Sequence, residues 1–212
     1  METPSPILVL VQSRLRSPAL PSSTFHKWYN TAHIPDLLQT PGVSSGLRYL
    51  DTRTPSDEDA TAPGTFPYLA LYPDLERAWL TSKTCEFLKV PLHHDMLPGP
   101  SHFVFELADF VIGAYVARAT LGGEGGGVPG CVVFGVVEEG VVEEKGVESV
   151  LADSRAQWEA EGAVMVGKSA VLEWDFSPAG AKVRKEEIDK GMLLVGSRFL
   201  VVVSFNLLLF RG

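Results

Sequence analysis

Residues 24–35 read Thr-Phe-His-Lys-Trp-Tyr-Asn-Thr-Ala-His-Ile-Pro, and this segment decides the fold that the sequence predicts. Apolar side chains recur in it at positions i, i+3, i+4 and i+7, namely Phe25, Trp28, Tyr29 and Ala32. This spacing places an apolar stripe along one side of an α-helix. The segment therefore predicts an amphipathic helix whose aromatic face packs against a core.

Both ends of this helix carry boundary signals. Ser23 or Thr24 is expected to cap the first turn, because a hydroxyl oxygen can accept a bond from a free backbone N–H there. Pro35 disfavours helical geometry at Ile34, so the chain is expected to turn near that residue. The residues Leu37–Leu38 would then continue a broken last turn.

The flanking segments complete an order of elements that defines a fold class. Strands are predicted at residues 6–13, 43–53, 67–72 and 110–117, and a second amphipathic helix at residues 74–88. The first strand is a continuous apolar run, which is typical of a strand buried on both faces. The order β-α-β-β-α-β predicts an α+β, ferredoxin-like domain, in which both helices cover one face of an antiparallel sheet.

The second half of the chain predicts a diverged and incomplete copy of the same unit. Residues 121–130 contain six glycines and are expected to form a flexible linker. Beyond them, strands are predicted at residues 131–137 and 163–174, with a helix at residues 147–161 between them. Residues 198–203 would correspond to the strand at 67–72, after which the chain stops. The predicted organisation is a domain of residues 1–120, the linker 121–130, and a second repeat over residues 131–212.

The apolar tail, residues 192–210, leaves three interpretations open. It nearly reaches the length of a membrane span, but Arg198 interrupts it and a charge there is costly in a bilayer. The β-branched run Val201–Val203 favours a buried or edge strand. A tail anchor and a poorly packed, aberrant terminus are the alternatives.

Composition and charge restrict the class of protein. The chain has 212 residues, is 45% hydrophobic and 21% charged, and carries a formal net charge of −8. Its longest cationic run is Arg184–Lys185, so the basic patch of a nucleic-acid-binding protein is absent and no nucleic-acid partner is expected. Two cysteines and an acidic, proline-broken start favour a reduced, cytoplasmic protein without a membrane partner.

The aromatic helix and the strand after it resemble the EthD-like group of dimeric α+β barrel proteins. Their first helix typically reads Trp-Tyr-x-x-Glu-His-x-Pro and precedes a Pro-Gly turn and an Arg-Tyr pair. Here these features are Trp28–Pro35, Pro41–Gly42 and Arg48–Tyr49, and the resemblance spans about residues 5–118. One departure is Ala32, which stands where the family usually has an acidic residue.

The resemblance implies a function as well as a fold. Related proteins act without metal or organic cofactor on small aromatic molecules, as oxygenases of polyphenolic anthrones, decarboxylases, dehydratases, cyclases or lactone isomerases. The resemblance therefore implies an enzyme that acts on a small aromatic or polyketide-derived metabolite, with an oxidoreductase of the monooxygenase type favoured over a decarboxylase or dehydratase. The alternative is a non-catalytic small-molecule-binding or stress-type protein. It also implies a homodimer, or a pair of repeats within one chain.

Three residues of the helix are candidate site residues. His33 is the candidate general base or acid, because an unperturbed imidazole titrates near neutral pH; its alternative role is a helix-end histidine bonded to a backbone carbonyl. Tyr29 lies one turn earlier and is the candidate hydrogen-bonding partner, with core packing as its alternative. Trp28 is a candidate substrate-binding residue that equally suits the core.

Two further candidates lie outside the helix. Arg48 and Tyr49 alternate along the second strand, so only one faces the pocket, and Tyr49 is the predicted substrate-binding residue. His94 is a candidate ligand contact at the pocket mouth. His93–Asp95 is not predicted to bind a metal, because adjacent residues rarely point at one ion and no third ligand follows at a familiar spacing.

Overall fold

The computed structural model describes residues 7–51, 65–75, 89–121, 131–160, 169–176 and 199–205. Its elements are β1 (Ile7–Leu15), α1 (Ser22–Trp28), a π-helical turn (Tyr29–His33), α2 (Ile34–Leu38), β2 (Leu47–Leu50), β3 (Tyr68–Leu75), α3 (Val104–Leu107), β4 (Ala108–Leu121), β5 (Cys131–Val137), α4 (Glu139–Lys145), α5 (Val147–Ala160), β6 (Ser169–Phe176) and β7 (Phe199–Phe205). The protein is α+β, as predicted.

The chain separates into two compact units. Unit 1 contains Met1–Ala114 and Phe176–Val195, and unit 2 contains Tyr115–Asp175 and Gly196–Gly212. The division falls inside β4, whose first half belongs to unit 1 and whose second half belongs to unit 2.

The sheet of unit 1 has the strand order β2-β3-β1-β4. β3 pairs antiparallel with both β1 and β2, so it separates the two strands that the helical segment connects. This is the split βαβ arrangement, and the order is compatible with the predicted ferredoxin-like fold. An ion pair between Arg14 of β1 and Asp109 of β4, with Nε and Oδ2 2.9 Å apart, joins the last two strands.

β1 is the central strand of this unit, and its burial follows its sequence. Val9, Leu10 and Val11 are each at most 3% exposed, and Gln12 and Ser13 are buried beside them. A strand with neighbours on both edges and nearly continuous burial needs apolar residues at successive positions. The prediction of a buried first strand is confirmed, and the strand is two residues longer than predicted at its C-terminal end.

The predicted start of the second helix, at Asp74, is wrong. Asp74 and Leu75 belong to β3, which continues past Pro73 until Leu75 lies opposite Ile7. The register of the β1–β3 pair shifts at this point. Proline has no N–H to donate to a neighbouring strand, and a strand tolerates it at such an irregularity. The rest of that predicted helix lies at residues 76–88, outside the described residues, as do residues 52–64 and most of the predicted linker.

The predicted cap of the aromatic helix and the predicted break near Ile34 are wrong, whereas the continuation of the helix to Leu37 and Leu38 is confirmed. The N-cap is Pro21, no side chain caps the first turn, and Ser23 and Thr24 already lie within the helix. At the other end the chain stays helical through Pro35 to Leu38. The reason is the π turn just before the proline, which widens the helix where the proline ring would otherwise collide with a carbonyl one turn back.

The sheet of unit 2 has the strand order β4-β6-β7-β5. β7 pairs antiparallel with β5 over seven residue pairs and with β6 over four, so it lies between the two strands that α4 and α5 connect. β3 holds the same place between β1 and β2 in unit 1. The strand interpretation of the apolar tail is confirmed for Phe199–Phe205.

Within the parts of the chain that the structure describes, no helix is long and apolar enough to cross a membrane.

The helix predicted at residues 147–161 is confirmed as α5, whereas α4 was not predicted. Glu143 and Glu144 of α4 are exposed, as expected for a solvated acidic face.

Candidate functional site

The π turn determines which rings meet at the end of the aromatic helix. In a regular α-helix, residues five positions apart point about 140° away from each other. Here Ile34 donates its backbone N–H to the carbonyl of Tyr29, five residues earlier, and this widened turn brings His33 back over Trp28. The two rings stack with centroids 4.9 Å apart and planes inclined by 20°.

Tyr29 completes a three-ring cluster with Trp28 and His33. Its ring meets the His33 ring edge-on, with centroids 4.8 Å apart and an interplanar angle of 82°. Trp28 and Tyr29 are 1% and 2% exposed, and the whole predicted apolar face of the helix is buried. The structure therefore brings together three of the five predicted site residues.

His33 is the chemically unusual member of this cluster. The residue is 9% exposed, and its Nδ1 atom is buried without a hydrogen-bond partner in the described structure. Burial and, secondarily, the positive charge of Arg48 lower the pKa of His33 to about 4. The imidazole is therefore neutral at physiological pH.

A second buried polar group lies behind Tyr29. The hydroxyl of Tyr72, on β3, donates to the hydroxyl of Tyr29 over 3.4 Å. Burial raises the pKa of both phenols, although Arg48 opposes the rise at each, so both stay protonated at neutral pH. Gly46 makes room for the Tyr72 ring, since a Cβ at position 46 would lie 3.1 Å from Cε1 of Tyr72.

Arg48 of β2 places a permanent positive charge against these rings. The centre of its guanidinium lies 4.3 Å above the Tyr29 ring and 5.6 Å from the Phe25 ring. Its Nη1 donates to Oδ1 of Asn30 over 3.0 Å. The structure therefore places Arg48, rather than Tyr49, on the face of the sheet that meets the aromatic helix.

The other two predicted residues do not join the cluster. Tyr49 follows Arg48 along β2, so its side chain points to the opposite face of the sheet. His94 is half-buried, and its Nδ1 accepts the backbone N–H of Met96 in its own loop over 3.1 Å. Its neighbour His93 stacks on Phe103, with centroids 4.5 Å apart. Among the described residues, no group of three or more His, Cys, Asp and Glu side chains could hold a metal ion.

Sequence reasoning missed Arg48 and Tyr72 as members of the site. The signal that could have found them is strand alternation: Tyr68, Ala70 and Tyr72 share one face of β3, and Arg48 pairs with Ala70 across the sheet. Once one of these residues is known to face the helix, all of them do. The sequence did not show which face that was.

A comparison of the sequence with protein-family models finds no match, and a comparison with curated proteins finds no significant relative. The resemblance to EthD-like proteins therefore stays a prediction.

Proposed function

We propose that this protein is a cofactor-independent enzyme that acts on a small aromatic or polyketide-derived metabolite bound at His33. One observation carries the proposal: the neutral imidazole of His33 keeps a buried Nδ1 without a hydrogen-bond partner among the described residues. An unsatisfied buried polar atom costs roughly 1–3 kcal/mol. A ligand hydroxyl that donates a hydrogen bond to this atom would recover that energy, and the same atom is the proposed acceptor for the proton of an acidic substrate.

The residues around His33 suit an aromatic ligand. Trp28 and Tyr29 offer ring surfaces next to the imidazole, and aromatic rings pack on one another in stacked or edge-on arrangements. Tyr29 would hydrogen-bond the bound molecule, and His33 would accept its proton. Because the pKa of His33 is about 4, the imidazole is a weak base, so the proposal requires acidic substrates such as phenols, anthrones or β-keto acids.

The reaction type rests on the family resemblance. Removal of a proton from an anthrone-like substrate leaves a stabilised carbanion. Reaction of that carbanion with molecular oxygen would convert the CH2 group into a carbonyl, with the second oxygen atom leaving as water. We favour this monooxygenase type over a decarboxylase or dehydratase. The same resemblance supports a barrel made from two α+β units, either as a homodimer or within one chain, and the two cysteines and the acidic start support a cytoplasmic location. The matching strand orders around β3 and β7 support a diverged second copy in this chain.

A non-catalytic small-molecule-binding protein is the second candidate, and two observations favour it. Ala32 stands where a carboxylate would support a protonated imidazole, and His33 has a pKa far below neutrality. A site of this kind accepts a hydrogen bond more readily than it accepts a proton.

A turnover screen separates the two candidates. Small phenols, anthrones and aromatic β-keto acids are tested with the wild type, His33→Ala and the control His93→Ala, whose histidine is exposed. General acid–base catalysis predicts a loss of at least about a hundredfold in turnover for His33→Ala. His93→Ala should match the wild type. Tight binding without turnover, unchanged in His33→Ala, would contradict the enzyme and leave a binding protein.

A further inference from the structure

We infer that Arg48 makes the His33 site selective for anionic aromatic molecules, in which a carboxylate or phenolate group contacts its guanidinium. The inference rests on the proposed function in one respect, namely that an aromatic ligand occupies the site beside His33. It goes further in naming the charge of that ligand and the residue that recognises it.

The described residues that contact Arg48 are uncharged. The guanidinium lies against the Tyr29 and Phe25 rings and donates to the amide oxygen of Asn30. Within the part of the chain that the structure describes, no carboxylate forms an ion pair with it. A guanidinium stays protonated even when partly buried, and buried charges in proteins are usually paired. A ligand anion would supply the missing counter-charge.

The guanidinium also has hydrogen-bonding capacity for an anion. It carries five N–H donors, and the hydrogen bond that the structure shows comes from Nη1 to Asn30. A carboxylate can accept two parallel N–H bonds from such a group, a geometry that adds both energy and orientation. Asn30 and the ring of Tyr29 hold the guanidinium in place, so little side-chain freedom is lost when the anion binds.

Tyr29 links this cation to the candidate base. One side of the Tyr29 ring lies under the guanidinium of Arg48, and the ring meets the His33 imidazole edge-on. A single aromatic ligand beside Tyr29 is therefore within reach of an uncharged nitrogen base and a fixed positive charge. The whole chain carries a net charge of −8, so its overall field does not attract anions, and Arg48 supplies a local positive charge at this site.

The test compares two ligands of nearly equal shape, 2-naphthoate and 2-naphthamide, by titration calorimetry near neutral pH. Naphthamide affinity reports the aromatic site itself, and the affinity ratio of the two ligands reports the anion preference. The variants are Arg48→Met, which keeps an apolar stem over Tyr29, and Arg48→Lys, which keeps the charge without the planar fork. Lys145→Met is the control, because it removes the same charge from an exposed side chain.

The wild type should bind naphthoate at least about tenfold more tightly than naphthamide, which corresponds to one hydrogen-bonded charge pair. Arg48→Met should bring the affinity ratio to about one without weakening the binding of naphthamide. Arg48→Lys should give an intermediate ratio, and the control Lys145→Met should keep the wild-type ratio. If Arg48→Met does not fold, the salt dependence of the wild type decides. Raising the salt concentration from about 50 to about 500 mM must weaken the binding of naphthoate to the wild type and leave the binding of naphthamide unchanged.

The outcomes separate this inference from the proposed function. A wild-type ratio near one, or a preference that survives Arg48→Met, overturns the anion selectivity and leaves the aromatic site intact. A preference that follows Arg48 in a protein without His33-dependent turnover supports the selectivity and refutes the enzyme. Failure of both ligands to bind the wild type overturns both.

Discussion

At the scale of single residues, His33 couples the candidate chemistry to the stability of the fold. Its folded pKa of about 4 lies below the ordinary histidine value of 6.5, mainly because burial penalises the charged ring. The unfolded chain therefore binds a proton at a higher pH than the folded chain does. The resulting stability is complete above pH 6.5 and is lost as the pH falls toward 4.

We expect this loss to reach about 3 kcal/mol by pH 4, since one pKa unit corresponds to about 1.4 kcal/mol. The measurement is the free energy of unfolding by denaturant between these pH values, for the wild type and His33→Leu. Carboxylates titrate in both proteins, so the difference between the two curves isolates His33. Parallel curves would show that folding leaves the pKa of His33 unchanged, as for an exposed imidazole.

Gly46 tests the packing behind the site. In Gly46→Ala the new Cβ would lie 3.1 Å from Cε1 of Tyr72 and 3.5 Å from Cγ2 of Ile34, so the tyrosine ring must shift. We expect a destabilisation of about 1–3 kcal/mol in thermal or denaturant unfolding. Gly140→Ala is the matched control, because no atom lies within 4 Å of its Cβ and alanine favours the helix by roughly 0.5–1 kcal/mol. Equal effects in the two variants would rule out close packing at Gly46.

Residue-level prediction succeeded where a side chain's position follows from spacing along one element. The apolar face of the aromatic helix is of this kind, whereas the stacking of His33 on Trp28 requires the π turn. Arg48 and Tyr72 entered the site through pairing between strands, and spacing within one strand leaves the choice of face open. The sequence therefore predicts the site residues on the aromatic helix, Trp28, Tyr29 and His33, but not those on the strands, Arg48 and Tyr72.

At the scale of elements, the π turn at Tyr29–His33 is the feature on which the site depends. A proline inside an α-helix collides with the carbonyl four residues earlier, which for Pro35 belongs to Thr31. The wider turn avoids this collision and keeps the chain helical to Leu38. The sequence predicts a break near Ile34 and a separate last turn at Leu37–Leu38, because a single extra residue in a helical turn leaves no periodic signal.

Pro35→Ala should allow this segment to return to regular α-helical hydrogen bonding. His33 would then rotate away from Trp28, so we expect its pKa to rise from about 4 toward 6.5 while helix content is kept. NMR titration of the imidazole, together with far-ultraviolet circular dichroism, measures both effects. Pro41→Ala, in the exposed turn beyond the helix, serves as the control. An unchanged His33 pKa in Pro35→Ala would show that packing rather than the proline maintains the π turn.

At the scale of the whole molecule, β7 is the strand on which unit 2 depends. It forms the ladders to both β5 and β6, and Val202 pairs with Phe134 on one side and Ala170 on the other. A proline at such a central position removes a ladder hydrogen bond and fits poorly in the strand.

Val202→Pro should therefore increase amide hydrogen exchange in β5 and β6 by at least about tenfold, with little change in β1 and β3. Val147→Pro is the matched control, because proline is tolerated at the first position of a helix and Val147 begins α5. Exchange that rises equally in both units would contradict their description as separate compact bodies.

The sequence by itself determined the α+β class, the strand–helix–strand–strand order of each half and the buried aromatic face of the first helix. These features follow from local periodicity and from the turn residues between elements. Only the tertiary structure decided that the helix widens before Pro35, that the register of β3 shifts next to Pro73, and that Arg48 rather than Tyr49 faces the aromatic helix. The first two depend on how the backbone accommodates a proline, and the third depends on pairing and packing between residues far apart in the chain. Local periodicity shows none of them.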